Sequence, residues 1–239
     1  MKGTGVQTIS AEVLEQLESL GTCTVANAIE KFKIRLRNEG FTDSSVKCMF
    51  PRRHAIAGYA VTGRIRSDVL PIVDGSPEFL DRTDWWDHVL AIPEPRIVVL
   101  EDVGHHPGRG SFWGEVHANI HLRLGCVGAV TNGAVRYLNE IRGIGFQIFA
   151  GAVAVSHSYV HFVDFGPTVH VGGLAVTNGD LLLADQHGVL QIPHEIAAEI
   201  PKVAHDIEKH KRTIIQFCRS ADFSIDGLRN LVAKDRGRP

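Results

Sequence analysis

The chain has 239 residues, 25 Lys and Arg against 27 Asp and Glu for a formal net charge of -2, and 44% hydrophobic content, an ordinary globular composition. The near-neutral balance argues against a strongly basic face for nucleic acid, although a local patch can sit inside a balanced total. Residues Met1 to Ser10 lack a basic region followed by an apolar run, and no later segment approaches the ~18 apolar residues of a spanning helix. The expectation is a soluble, cytoplasmic protein with neither nucleic-acid nor membrane partners.

Ser10 is a good N-cap for a first helix that carries Val13, Leu14, Leu17 and Leu20 on one face and stops at Gly21. A second short helix is expected from a Thr24 cap toward Phe32. Lys31 to Phe50 turns polar and irregular and reads as a mobile or partner-facing segment. Gly58 to Gly63 reads as a strand, Asp68 to Trp86 as a long connection, and Trp85 and Trp86 as the start of a helix. Ile97 to Leu100 is a β-branched run of buried-strand length, and the glycines from Gly104 to Gly110 make a loop.

The spacing of Val116, Ile120 and Leu124 predicts a helix from about Gly114, ended by Gly125 before a strand over Cys126 to Thr131. A short helix over Arg136 to Arg142 and strands near Phe146 to Ala150 and Val153 to Val155 follow. This order implies a parallel or mixed α/β sheet. Leu174 to Thr177, Leu181 to Ala184 and Val189 to Ile192 read as an antiparallel meander, its first turn at Asn178-Gly179. A C-terminal helix with Ile196, Ile200, Val203 and Ile207 inward closes the fold, kinked by Pro201. One domain over residues 1–239 is expected, with a core over about 10–210 and a helical extension beyond.

Three sets of residues suggest chemistry. The loop and helix start from Gly104 to His117 present backbone N–H groups at Gly114, Glu115, Val116 and His117 that suit a carboxylate or enolate oxygen; the alternative is a plain helix cap. Arg136, in Gly133-Ala-Val-Arg136-Tyr137, follows an apolar strand at the end where α/β sheets bind ligands; the alternative is a surface ion pair. His117 and His121, like His157 and His161, are four residues apart, but the Glu of a zinc-protease motif is missing and core or solvated histidine is the default. Cys23, Cys48, Cys126 and Cys218 are scattered and read as reduced and mostly packed.

Gly58-Tyr-Ala-Val-Thr, Gly114-Glu-Val-His, Gly133-Ala-Val-Arg136 and the run from Gly172 through Asp180, Asp185, Gly188 and Pro193 together resemble the RraA-like proteins. That family includes the regulator of ribonuclease E activity and the 4-hydroxy-4-methyl-2-oxoglutarate aldolases. The resemblance implies a swivelling β/β/α fold in homotrimeric rings, sometimes stacked as hexamers, with active sites at subunit interfaces. It also implies a lyase that cleaves 4-hydroxy-2-oxo diacids or decarboxylates oxaloacetate through a pyruvate enolate. Arg136 and the Gly114 to His117 amides would hold the 2-oxo acid, and Glu115 would position waters on a magnesium or manganese ion. Gly114 precedes Arg136 by 22 residues, as in the family.

Where the family's aldolases carry the metal-ligating Asp, this chain has Tyr137, a neutral phenol that cannot replace a carboxylate on a hard cation. His117, replacing the family's Leu, is a substitute ligand candidate. The competing expectations are a non-catalytic ring that binds a protein partner or carboxylate, and metal-free chemistry with Tyr137 and His117 as proton donors.

Overall fold

The structure, a computed structural model, describes residues 5–51, 55–71, 80 and 82–236. Helix α1 (Ala11–Phe32) begins as its sequence dictates, the Ser10 hydroxyl accepting from the Val13 amide at 3.3 Å. Leu14 and Leu17 are buried, and Val13 and Leu20 pack at the margin of the same core. Gly21 breaks the helix at φ 75°, but the chain re-enters it at once. The new start is capped at Thr22, not Thr24: Asp185 accepts from the Thr22 amide at 2.9 Å and its hydroxyl at 2.8 Å. A long-range cap of this kind leaves no local trace, and the Thr24 hydroxyl instead meets Glu208 at 3.4 Å.

The stretch after α1 is irregular, as expected, yet it is tied down. Thr42 donates its amide to Val189 at 2.9 Å and Asp43 to Gly172 at 2.8 Å, and β1 (Lys47–Cys48) lies antiparallel on β6 (Gln147–Val153). Next come β2 (Ile56–Arg66), α2 (Arg82–Leu90) and β3 (Arg96–Asp102). Strands β4 (Ser111–Trp113) and β5 (Cys126–Val135) flank α3 (Glu115–Arg123), and α4 (Leu138–Ile144) leads into β6. Strands β2, β3, β5 and β6 are parallel neighbours in that order, the centre of a mixed sheet.

Both faces of this sheet are covered, which is why its strands read as apolar runs rather than alternating ones. Val98 and Leu100 of β3 face the core beneath the helices, while Ile97 and Val99 face a second core under the hairpin of β8 (Val169–Val171) and β9 (Leu174–Val176). Helix α3 corrects its expected inner face. Val116 is 69% exposed, and Ala118 and His121 are buried in place of the Val116, Ile120, Leu124 stripe.

Strand β7 (His161–Phe165) pairs antiparallel with β2, and β10 (Leu181–Asp185) pairs with both β2 and β11 (Gly188–Ile192). The expected three-stranded meander is therefore a hairpin, β10–β11, added to the sheet. Asn178-Gly179 does not join paired strands, because β9 pairs back on β8 through Gly172 and Gly173, both at positive φ. Asn178 instead accepts from the Thr62 amide at 3.0 Å. Val153 to Val155 is no separate strand: β6 runs to Val153, and Val155 is fully outside the core.

Helix α5 (Ile200–Arg219) packs on α1 and continues past residue 210, followed by α6 (Ile225–Arg236). Pro201 does not kink α5, since it lies in the first turn where its missing N–H breaks no bond. Ile196 belongs to a 3-10 turn before the helix, and Ile200 and Ala204 form the helix's buried contacts. Among the described residues all four cysteines are free, but only Cys126 is buried; Cys23 and Cys218 are exposed, against the expectation of packing. No helix among the described residues is long and apolar enough to cross a membrane. Of the expected long connection, residues 72–79 and 81 lie outside the described residues, as do Met1 to Thr4 of the start.

Candidate functional site

The parallel strands β3 and β5 end at one edge, and side chains there lock the two together. The Asp102 amide donates to Asn132 Oδ1 at 2.7 Å, and Asn132 Nδ2 returns a bond to the Asp102 carbonyl at 3.0 Å. The buried Asp102 carboxylate accepts from Ser67 Oγ at 2.8 Å and from the Gly104 and Gly108 amides at 3.1 and 2.9 Å. A buried carboxylate must be satisfied, and here its partners fix the glycine loop.

Beyond a register shift in β5, β4 pairs parallel with its last residues, Ser111 beside Ala134 and Trp113 beside Val135. Gly114, directly after β4, is thus laid beside Arg136, directly after β5. A Cβ on Gly114 would stand 3.4 Å from Tyr137 Cδ2 and 3.7 Å from Arg136 Nε. Gly114 occupies the N-cap of α3 in extended backbone without a side-chain cap, so the amides of the first turn remain available to an anion. Gly114, Glu115, Val116, His117, Arg136 and Tyr137 all line one cleft of about 480 Å³.

Arg136 is half-buried, and its guanidinium carbon lies 4.9 Å from the Tyr137 ring centroid. Among the described residues no carboxylate pairs with it. Tyr137 caps α4 at φ 58°, ψ 49°, a left-handed conformation that Asn, Asp and Gly adopt more readily than Tyr. The residue is 48% exposed. The His117 ring stacks on Phe112, centroids 4.3 Å apart.

The histidine pairs separate. His121 is fully buried; its Nε2 accepts from Trp85 Nε1 at 2.8 Å, and its Nδ1 lies 2.7 Å from the His117 carbonyl, to which it donates. Burial holds its pKa down at about 4, so it is a neutral core residue with both nitrogens engaged. It cannot share a metal with His117. His157 joins the cleft wall while His161 does not. The sequence gives no sign of this, because the placement comes from a close backbone approach: a Cβ on Gly110 would lie 2.4 Å from the His157 carbonyl oxygen. The Ser111 amide completes the contact by donating to Ser156 at 3.0 Å.

The donors in this cleft do not suit a hard divalent cation. Such an ion takes about six oxygen ligands, whereas the wall offers one carboxylate, Glu115, beside a phenol and two imidazoles. Among the described residues no group of three or more His, Cys, Asp or Glu is arranged to hold a metal ion. What the arrangement does offer is a guanidinium fork and a helix N-terminus on one side of a partly apolar cleft, a geometry for a small carboxylate.

Residues 22–191 match the model of the RraA-like family, described as Aldolase/RraA. The chain is 24% identical over 116 residues to protein DlpA of Legionella pneumophila, a match covering 48% of this chain and 18% of that protein. It is 26% identical over 135 residues to an uncharacterised protein of Methanocaldococcus jannaschii, covering 55% and 64%. The chain thus spans less than two thirds of the length of either relative. Among solved structures, one described as novel cellulases from microbes associated with the gut ecosystem superposes with a TM-score of 0.72 at 23% identity, covering 88% of this chain and 90% of that one. Streptomyces coelicolor RraAS2, described as an unusual member of the RNase ES inhibitor RraA protein family, superposes with a TM-score of 0.67 at 18% identity, covering 87% and 97%. At these identities the likeness concerns the fold.

Proposed function

The chain belongs to the RraA-like family, and we propose that its cleft binds a small 2-oxo acid and acts on it as a lyase. The carrying observation is the convergence of Arg136 with the uncapped start of α3, Gly114 to His117. In this reading the Arg136 fork pairs with the substrate carboxylate, and the first-turn amides receive the oxygen that becomes an enolate. Aldol cleavage of a 4-hydroxy-4-methyl-2-oxoglutarate-type substrate removes the hydroxyl proton, breaks C3–C4 and leaves a pyruvate enolate that is protonated at C3. Decarboxylation of oxaloacetate reaches the same enolate by loss of carbon dioxide. Glu115, the carboxylate on this wall, takes the hydroxyl proton, and His117 and Phe112 shape the apolar side.

The magnesium or manganese ion implied by the resemblance would supply Lewis-acid stabilisation of the enolate. Glu115 and the phenol of Tyr137 do not make a site for it. The resemblance further suggests a homotrimer or hexamer with clefts at the subunit boundaries.

A second reading follows from Tyr137: a non-catalytic ring that binds a carboxylate ligand or a protein partner with the same cleft. Pyruvate release from oxaloacetate and from 4-hydroxy-4-methyl-2-oxoglutarate, assayed with magnesium, manganese or chelator and with Arg136→Ala as the blank, separates the two. Turnover above the blank supports the lyase. Binding of pyruvate or oxalate without turnover supports the ring.

A further inference from the structure

The groove between α1 and α5 lies outside the cleft and has no part in the chemistry above. It encloses about 970 Å³, and Lys202, His205, Lys209 and Arg212 line it. Their spacing of three, four and three residues puts them on one helix face along roughly 15 Å. All four are exposed, and among the described residues none of their side chains has an ion-pair or hydrogen-bond partner. The groove's carboxylate, Glu208, is engaged by Lys211 at 3.0 Å. The opposing α1 wall offers Gln16 and Ser19, polar but uncharged.

This charge arrangement costs the fold stability. Lys202 sits in the first turn of α5, where the helix dipole disfavours a cation and where no acidic residue is present. Lys209 and Arg212, three residues apart, are like charges that repel on the same helix face. The helix carries five Lys and Arg against two Asp and Glu in a chain of net charge -2, so the cations are concentrated locally and not by composition. Asp206, the other acid of the helix, does not line the groove, so its cations stay available there.

We propose that the α1–α5 groove docks an acidic polypeptide segment, with carboxylates repeating every three to four residues. A two-walled trough of this size fits a helix or extended strand better than a flat bilayer. No Phe, Tyr or Trp lines it, so the broad stacking platforms that hold single-stranded nucleic acid are missing. The test is fluorescence anisotropy of the intact protein with a labelled alanine-based peptide bearing Glu at positions i, i+3, i+7 and i+10. A Lys-for-Glu copy of the peptide and a labelled oligouridylate of equal charge serve as comparison probes. The Glu peptide should bind, weaken with added salt, and bind about tenfold or more weakly to the K202E/K209E/R212E variant. The milder K209A/R212A variant should weaken it in the same direction with a melting temperature no lower than that of the unsubstituted protein. Absence of Glu-peptide binding, binding by both variants as tight as by the unsubstituted protein, or tighter binding of the oligouridylate than of the peptide overturns the proposal.

Discussion

The Arg136 amide donates to the Trp113 carbonyl at 3.0 Å, joining the residue after β5 to the last residue of β4. Because that bond belongs to the backbone, it holds the Arg136 main chain beside the start of α3 whatever side chains line the cleft. Arg136→Ala should therefore leave the melting temperature unchanged while lowering 2-oxo acid turnover by ~10²–10³-fold. Arg136→Lys should recover little, since an ammonium lacks the two-pronged fork. Steady-state kinetics of the three proteins decides it, and wild-type turnover by Arg136→Ala would exclude this cleft as the site.

Tyr137→Asp should be tolerated and should gain function. Asp adopts a left-handed backbone more readily than Tyr, so the φ of 58° favours the substitution. The new carboxylate would stand where the family's aldolases carry their metal ligand. Pyruvate release should become dependent on magnesium or manganese and sensitive to chelator. Unchanged metal response in a folded Tyr137→Asp protein would show that position 137 is not the missing determinant.

His121 should make the protein acid-sensitive. Its pKa falls from an ordinary 6.5 to about 4 through burial, so between those values the unfolded chain binds a proton that the folded one refuses. Stability then drops as pH falls from about 6.5 to about 4, by at most ~3 kcal/mol, and levels off below. Urea midpoints at pH 7 and pH 4.5 measure it. His121→Gln should flatten that slope while lowering stability at pH 7, and a slope that survives the substitution would assign the effect elsewhere.

Asp185→Asn should cost about 1–2 kcal/mol at pH 7, because it weakens the bonds to Thr22 that restart α1 after Gly21. Burial raises the Asp185 pKa, but hydrogen bonds from His187 and Thr22 outweigh it and hold the group below the usual carboxylate range. The stabilisation is thus complete above pH 4 and is lost as pH falls through the depressed value. Wild type and variant should converge in acid; a constant gap down to pH 2 would mean that the carboxylate charge is irrelevant.

The mixed α/β order, the Ser10 cap and the glycine start of α3 were legible in the sequence because each rests on local signals: apolar runs, a capping hydroxyl, a glycine before a helix. The errors fall where distant residues decide. Thr22 is capped by Asp185 across 163 positions, and β9 turns back to β8 although Asn178-Gly179 carries a stronger hairpin signal than Gly172-Gly173. His157 reaches the cleft only because Gly110 admits its backbone. The apolar pattern of α3 misled for another reason: burial of His121 against Trp85 claims the inner face and leaves Val116 outside.

The pairing of β4 with the end of β5 also bears on how such a protein changes over generations. The anchor points of the cleft are set by main-chain bonds and by Asp102 and Asn132, none of which contacts a ligand in the reading above. Positions 115, 117 and 137 are consequently free to drift, and a lineage can exchange a carboxylate for a phenol there without passing through an unfolded ancestor. One scaffold can in this way shelter catalysts and inert binders as near neighbours, separated by a few substitutions at its rim.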